Sequence, residues 1–96
     1  MTYYDMKDWN FEGFIKSNKK GKMYSAILKN KNNGKIKKLD FGDSTMQNYR
    51  DITGLNLYPH LIHNDKRRRR LFQARHKGFL KKNMFSPSFF SYYFLW

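Results

Sequence analysis

The stretch GFIKSNKKGKMYSAILKNKNNGKIKKLDFGDS, residues 13–44, decides the fold. Apolar runs recur in it at Phe14 and Ile15, at residues 23–28 and at residues 35–41, with polar breaks at SNKKGK (17–22) and at Asn32, Asn33 and Gly34. Asn-Gly is a strong hairpin signal because both positions tolerate positive φ. The third run alternates imperfectly through Ile36, Leu39 and Phe41, as a strand with one wet face does. Together these features predict a three-stranded antiparallel β-meander. It ends at Phe41-Gly42-Asp43-Ser44, where Gly42 permits a sharp turn and Asp43 or Ser44 bonds local amides. Upstream, residues 1–12 hold Asp5, Asp8 and Glu12 against Lys7 alone. This acidic segment is expected to pair with the basic helix described next.

Beyond the meander, Ile52, Leu55, Leu57, Leu61 and Ile62 lie in an irregular stretch expected to cover the sheet. Asn64 or Asp65 is then a helix cap, KRRRRLFQARHK holds good helix formers, and Gly78 falls where a left-handed C-terminal residue belongs. The spacing predicts a helix over residues 65–77 within a basic segment, 64–78. Its apolar stripe is thin, limited to Leu71, Phe72 and Ala74 with Phe79 beyond. Lys66, Arg67, Arg68, Arg69, Arg70, Arg75 and Lys77 cover the rest, and Lys81 and Lys82 follow. After Lys82 no charged side chain remains, and residues 85–96, FSPSFFSYYFLW, hold seven aromatics. Ser86 as cap and Pro87 at the first helical position predict a short helix. On it Phe89, Tyr93 and Trp96 share one face, and Phe90 and Phe94 the next. The tail is too short to span a bilayer, which takes about 20 apolar residues. The fold class expected is α+β: one domain over residues 1–96 with meander (13–44), basic helix and short aromatic C-terminal helix (85–96).

Composition narrows the function. The 96 residues carry 20 Lys and Arg against 7 Asp and Glu, a formal charge of +13. Such a field recruits polyanions, acidic protein faces or anionic lipid. A domain this size buries only about two-thirds of the surface its unfolded chain exposes, so a partner is expected to contribute stability. Without cysteine there is neither a disulfide framework nor a thiolate metal site, and the N-terminus lacks the pattern of a secretory signal. The protein is therefore not expected to be secreted.

Chemistry-bearing constellations are sparse. His60 and His63 are spaced so that two imidazoles can converge, yet no cysteine or clear carboxylate supplies a third ligand, so no metal is expected. Asp40 and Asp43 flank a turn and Asp51 stands alone, a pattern of turn and cap duty rather than general acid and base work. No glycine-rich phosphate loop occurs. The expectation is a non-enzymatic protein with no cofactor. The arginine run has forks that fit phosphate oxygens, and a helix fits the major groove. The aromatic tail has four readings: the missing half of a small core, an anchor between neighbouring subunits, a membrane-interface segment, or a base-stacking surface.

FGDS at 41–44, YRD at 49–51, HND at 63–65, the arginine run, RH at 75–76 and the closing FLW resemble, in order and spacing, a family of small proteins encoded by large nucleocytoplasmic DNA viruses. The resemblance covers residues 35–96. The chain departs from the family pattern in an extended YPHL before LIHND and in stopping at Trp96 where relatives continue. The resemblance implies a viral source, a recurring architecture and a place in the particle, and it brings no catalytic residues. The expectation is a minor capsid-associated or cementing protein of the virion, present in the host cytoplasm or viral factory during infection. Its polyanion- or partner-binding residues are Lys66, Arg67, Arg68, Arg69, Arg70, Arg75, Lys77, Lys81 and Lys82. Its aromatic anchor is Phe89, Phe90, Tyr93, Phe94 and Trp96. The partners expected are acidic faces of virion proteins. The alternative is a non-specific nucleic-acid-binding protein associated with the viral genome, taking DNA or RNA; a membrane surface is the least favoured partner.

Overall fold

Strand structure begins earlier than the apolar runs suggest. The structure, a computed structural model, describes residues 3–96. A two-residue strand β1 (Tyr4–Asp5) precedes β2 (Trp9–Lys16), β3 (Lys22–Asn30) and β4 (Ile36–Asp43), and the last three form an antiparallel sheet in the order β2-β3-β4. With the helices that follow, the chain is α+β, built on the meander that residues 13–44 predict.

Of the acidic segment 1–12, residues 1 and 2 lie outside the described residues, and residues 3–12 contribute to both sheets. Trp9, Asn10, Phe11 and Glu12 open β2, while Tyr4 and Asp5 pair with Phe85 and Met84 of β5 (Met84–Phe85). Met6 N donates to Asn83 O at 2.9 Å. The expected attraction to the basic helix yields to main-chain pairing. Exposed ion pairs stabilise by only about 0–1 kcal/mol, whereas backbone groups left unpaired as they are buried cost more.

The register explains the core. At Gly13, with φ of 141°, pairing jumps from Phe11 opposite Leu28 to Gly13 opposite Ile27. The extra residue, Glu12, forms a β-bulge that puts Phe11 and Phe14 on one face although they are three apart. Their rings lie 4.7 Å from each other. The same face carries Tyr24, Ala26 and Leu28 of β3 and Leu39 and Phe41 of β4, all buried. At the β3–β4 turn only Gly34 of the Asn-Asn-Gly trio has positive φ, 72°. The turn is thus a longer loop than the two-residue form, in which both central residues have positive φ. Asn30 Oδ1 organises it by accepting from Asn32 N and Asn33 N at 2.8 and 3.2 Å.

Helix α1 (Lys66–His76) starts at Asp65, whose carboxylate accepts from Arg67 N and Arg68 N at 2.9 and 3.2 Å. Gly78 does not stop it in a left-handed conformation. The chain winds on through a 3₁₀ turn, Lys77–Phe79, and the left-handed residue is Asn83, φ 60°, just before β5. The inward stripe also differs from the expected one. Arg69, Phe72, Gln73 and His76, spaced i, i+3, i+4 and i+7, are the half-buried residues, whereas Leu71 and Ala74 are exposed.

The tail closes the core. In α2 (Pro87–Phe90) Ser86 Oγ accepts from Phe89 N at 3.1 Å. The helix then widens into one π turn, Ser91–Leu95, with Trp96 N donating to Ser91 O at 3.1 Å. The wider turn rotates the following residues, so that Phe90, Leu95 and Trp96 are buried while Tyr93 is 47% exposed. The expected face of Phe89, Tyr93 and Trp96 is therefore broken up. Phe90 packs among Phe11, Phe14, Phe41 and Phe85, with centroids 5.4 to 5.8 Å away. Of the connecting stretch, Leu55 and Tyr58 pack on this core, while Ile52 and Leu57 stay exposed. Among the described residues no helix is long and apolar enough to cross a membrane.

Candidate polyanion-binding surface

A basic helix can present cations only if something else holds it, and here the tail does. The last four carbonyls of a helix have no partner within it. In this chain the oxygens of Tyr93, Phe94, Leu95 and Trp96 each find a donor outside the tail: Arg50 Nη2 at 3.3 Å, Ile52 N at 3.0 Å, Arg50 N at 3.0 Å and Arg69 Nε at 2.7 Å. Arg69 also lays its guanidinium over the Tyr49 ring, 4.9 Å from the centroid. Phe72 stacks on Trp96 at 4.2 Å with planes 3° apart, and His76 stacks on Phe72 at 4.0 Å. One arginine of the run is thus turned inward and half-buried, unlike its exposed neighbours. Sequence offered no sign of this, because an inward stripe of Arg, Phe, Gln and His has no apolar periodicity.

The other eight predicted cations remain exposed. At 100° per residue, Lys66, Arg67 and Arg70 share an outward face of α1 that Lys77 continues from the 3₁₀ turn, and Arg68 and Arg75 lie on a second flank. Lys81 and Lys82 follow in the turn before β5. The aromatic five divide differently. Phe90 and Trp96 are inside the chain's own core, Phe89 and Phe94 are half-buried against it, and Tyr93 alone is exposed. A ring already desolvated in a core has little surface left to give a neighbour.

The motif residues at 41–44, 49–51 and 63–65 meet where sheet, α1 and tail join. Gly42 has φ of 77°, and a Cβ there would lie 3.0 Å from both Leu95 Cδ1 and Met23 Sδ. His63 Nδ1 accepts from Asp65 N at 2.8 Å, Asn64 between them is left-handed, and Asp65 caps α1. The HND triplet is therefore a helix-starting turn. Tyr49 lies under Arg69, and Arg50 caps the tail. Asp51 accepts hydrogen bonds from the Tyr24 hydroxyl and, at 2.9 and 2.6 Å, from the amide and hydroxyl of Thr53. Burial, then the Asp51 bond, pushes the Tyr24 phenol up to about 12.

The titratable groups are tuned for structure. Burial lowers His63 below its usual 6.5, assisted by the Arg68 charge and opposed by Asp65. Burial likewise lowers His76, with Arg75 adding to it. Asp40 is lowered although its burial acts the other way, because the Ser17 and Ser25 hydroxyls each donate to it at 2.6 Å and Lys19 and Lys22 lie near. The three histidines stand apart: His60 beside Tyr58, His63 between Tyr49 and Trp96, His76 on Phe72. Among the described residues no three His, Cys, Asp or Glu side chains are placed to hold a metal.

No family model, curated protein or solved structure matches this chain.

Proposed function

We propose that the chain is a non-enzymatic docking protein of a large DNA virus particle, held to a polyanion by the outward face of α1. The observation that carries this reading is the division of labour within the arginine run. Arg69 fastens the helix inward, while Lys66, Arg67, Arg70 and Lys77 form an exposed cationic row. A cationic row on a helix tied down from behind suits phosphate oxygens, which arginine forks bind bidentately. The order of motifs over residues 35–96 supports the viral setting.

Of the two acceptors such a particle offers, genome phosphate is better supported than an acidic shell protein. The shell reading relies on an aromatic anchor, and Phe90 and Trp96 are buried in the chain's own core. A cementing role keeps one support: Tyr93 is exposed, and so is Ile52, whose amide donates to Phe94 O at 3.0 Å. Stepwise stripping of particles into shell, membrane and genome-core fractions, with the chain quantified in each by mass spectrometry, tests the proposal. Recovery with the genome core is expected. Recovery with the shell would favour cementing, and absence from particles would sink both roles.

A further inference from the structure

The second flank of α1 differs in kind from the first. Arg68, Leu71 and Arg75 follow one another at i, i+3 and i+7 and so lie in one row. The two arginines are about 10.5 Å apart along the axis at 1.5 Å per residue, with an apolar side chain between them. The row borders a groove of about 830 Å³, lined on the sheet side by Lys22, Met46 and Gln47 and backed by the Phe72 and Trp96 rings. Ligand pockets commonly run from about 300 to 1,000 Å³.

Two properties of this groove point to one ligand chemistry. Leu71 and Met46 are 54% and 62% exposed, large apolar side chains held in water in the same groove. Around them the charge is positive: Lys22, Arg68 and Arg75 against Asp43, whose Oδ1 already accepts from the amide and hydroxyl of Thr45 at 2.8 and 2.6 Å. Arg68 is fixed at the rim by donating Nη1 to Gln47 Oε1 at 2.7 Å, which uses only one of the donors of its fork. Cation, apolar contact, cation is the repeat that single-stranded nucleic acid presents in reverse: phosphate, flat ring, phosphate. An acidic peptide supplies charge without an obligatory ring between charges, and a duplex keeps its rings stacked inside.

We propose that this groove seats a base of single-stranded nucleic acid on Leu71 and Met46, with the flanking phosphates on Arg68 and Arg75. The inference rests on the polyanion reading of α1 and adds to it a preference for unpaired strands. The same flank explains why the fold leaves Leu71 outside although the helix has few apolar residues to bury.

Fluorescence anisotropy at fixed salt with three probes separates the possibilities: a thymidine oligonucleotide, an abasic oligomer with the same number of phosphates, and polyglutamate. The oligonucleotide is expected to bind about fivefold tighter than the abasic oligomer, the effect of burying roughly 40 Å² of apolar surface at about 25 cal/mol per Å². Replacing both exposed contacts, Leu71→Ser with Met46→Ser, is expected to bring that ratio close to one and leave abasic binding and thermal stability unchanged. Equal binding of the two oligomers by the wild type would overturn the groove assignment while leaving the polyanion reading standing. Failure to bind either would overturn both, and tighter binding of polyglutamate would replace nucleic acid by an acidic protein.

Discussion

Arg69 and Arg70 are adjacent and chemically identical, yet the structure gives them opposite jobs, so their substitution is a sharp test. Arg69→Ala removes the Nε bond to Trp96 O at 2.7 Å and the guanidinium over Tyr49 at 4.9 Å. A hydrogen bond from a charged group contributes about 1.5–3 kcal/mol and an exposed cation–π contact about 0.5–1 kcal/mol. For a half-buried site the expected loss is about 2–3 kcal/mol, a sizeable part of the roughly 5–15 kcal/mol that stabilises a domain. Arg70→Ala, on the exposed face, is expected to change stability by no more than about 0.5 kcal/mol. Urea unfolding followed by tryptophan emission reads the difference, since Trp96 is buried. With a slope in the range of about 1–3 kcal/mol per molar, the Arg69 variant should unfold roughly 0.7–3 M earlier. Polyanion affinity should move the other way, falling for Arg70→Ala and holding for the folded Arg69→Ala protein. Equal midpoints for the two variants would refute the assignment of Arg69 as the fastener of α1.

Other consequences follow from the same packing. Gly42→Ala forces a side chain onto a left-handed backbone, costing about 1–2 kcal/mol, and sets its Cβ 3.0 Å from Leu95 Cδ1 and Met23 Sδ; thermal denaturation should show the loss, and an unchanged midpoint would contradict the close approach. Phe90→Ala empties the middle of the aromatic cluster and should cost about 3–5 kcal/mol, leaving a protein with weak near-ultraviolet dichroism; a fully folded variant would show that the tail is dispensable to the core. His63 and His76 are both held below 6.5, so the unfolded chain takes up their protons first as pH falls. Stability is therefore full above about 6.5 and declines below it as pH approaches the folded values. Midpoints at pH 7.5 and 5.5 check this, and His63→Asn, which keeps an acceptor for Asp65 N, should flatten part of the decline.

Local signals were the legible part of this fold. The three strands, the Asp65 cap and the Ser86-Pro87 helix start each rest on a few neighbouring residues, and their physics does not depend on distant chain. What depended on tertiary context was hidden. β1 and β5 are two residues each, too short for any period to show. The bulge at Gly13 shifted Phe11 into phase with Phe14, so β2 reaches back into a segment that composition marked only as acidic. The π turn rotated Trp96 into the core, which no 3.6-residue count predicts. Within the candidate site the cations were legible as charge, but the inward turn of Arg69 was not, nor the capping role of Arg50. Lys22, Met46 and Gln47 come to the groove from β3 and the loop after β4, and nothing in their neighbourhoods announces it.

The central claim is that the outward face of α1 grips phosphate. Affinity for duplex DNA measured across salt tests it most directly, comparing the wild type with a variant in which Lys66, Arg67, Arg70 and Lys77 are all changed to Gln. Four phosphate contacts at about −0.9 each predict a log–log slope of about −4 for the wild type. The variant, folded as before, should lose most of that slope and most of the binding. A wild-type slope near zero, or a variant that binds like the wild type, would contradict the account.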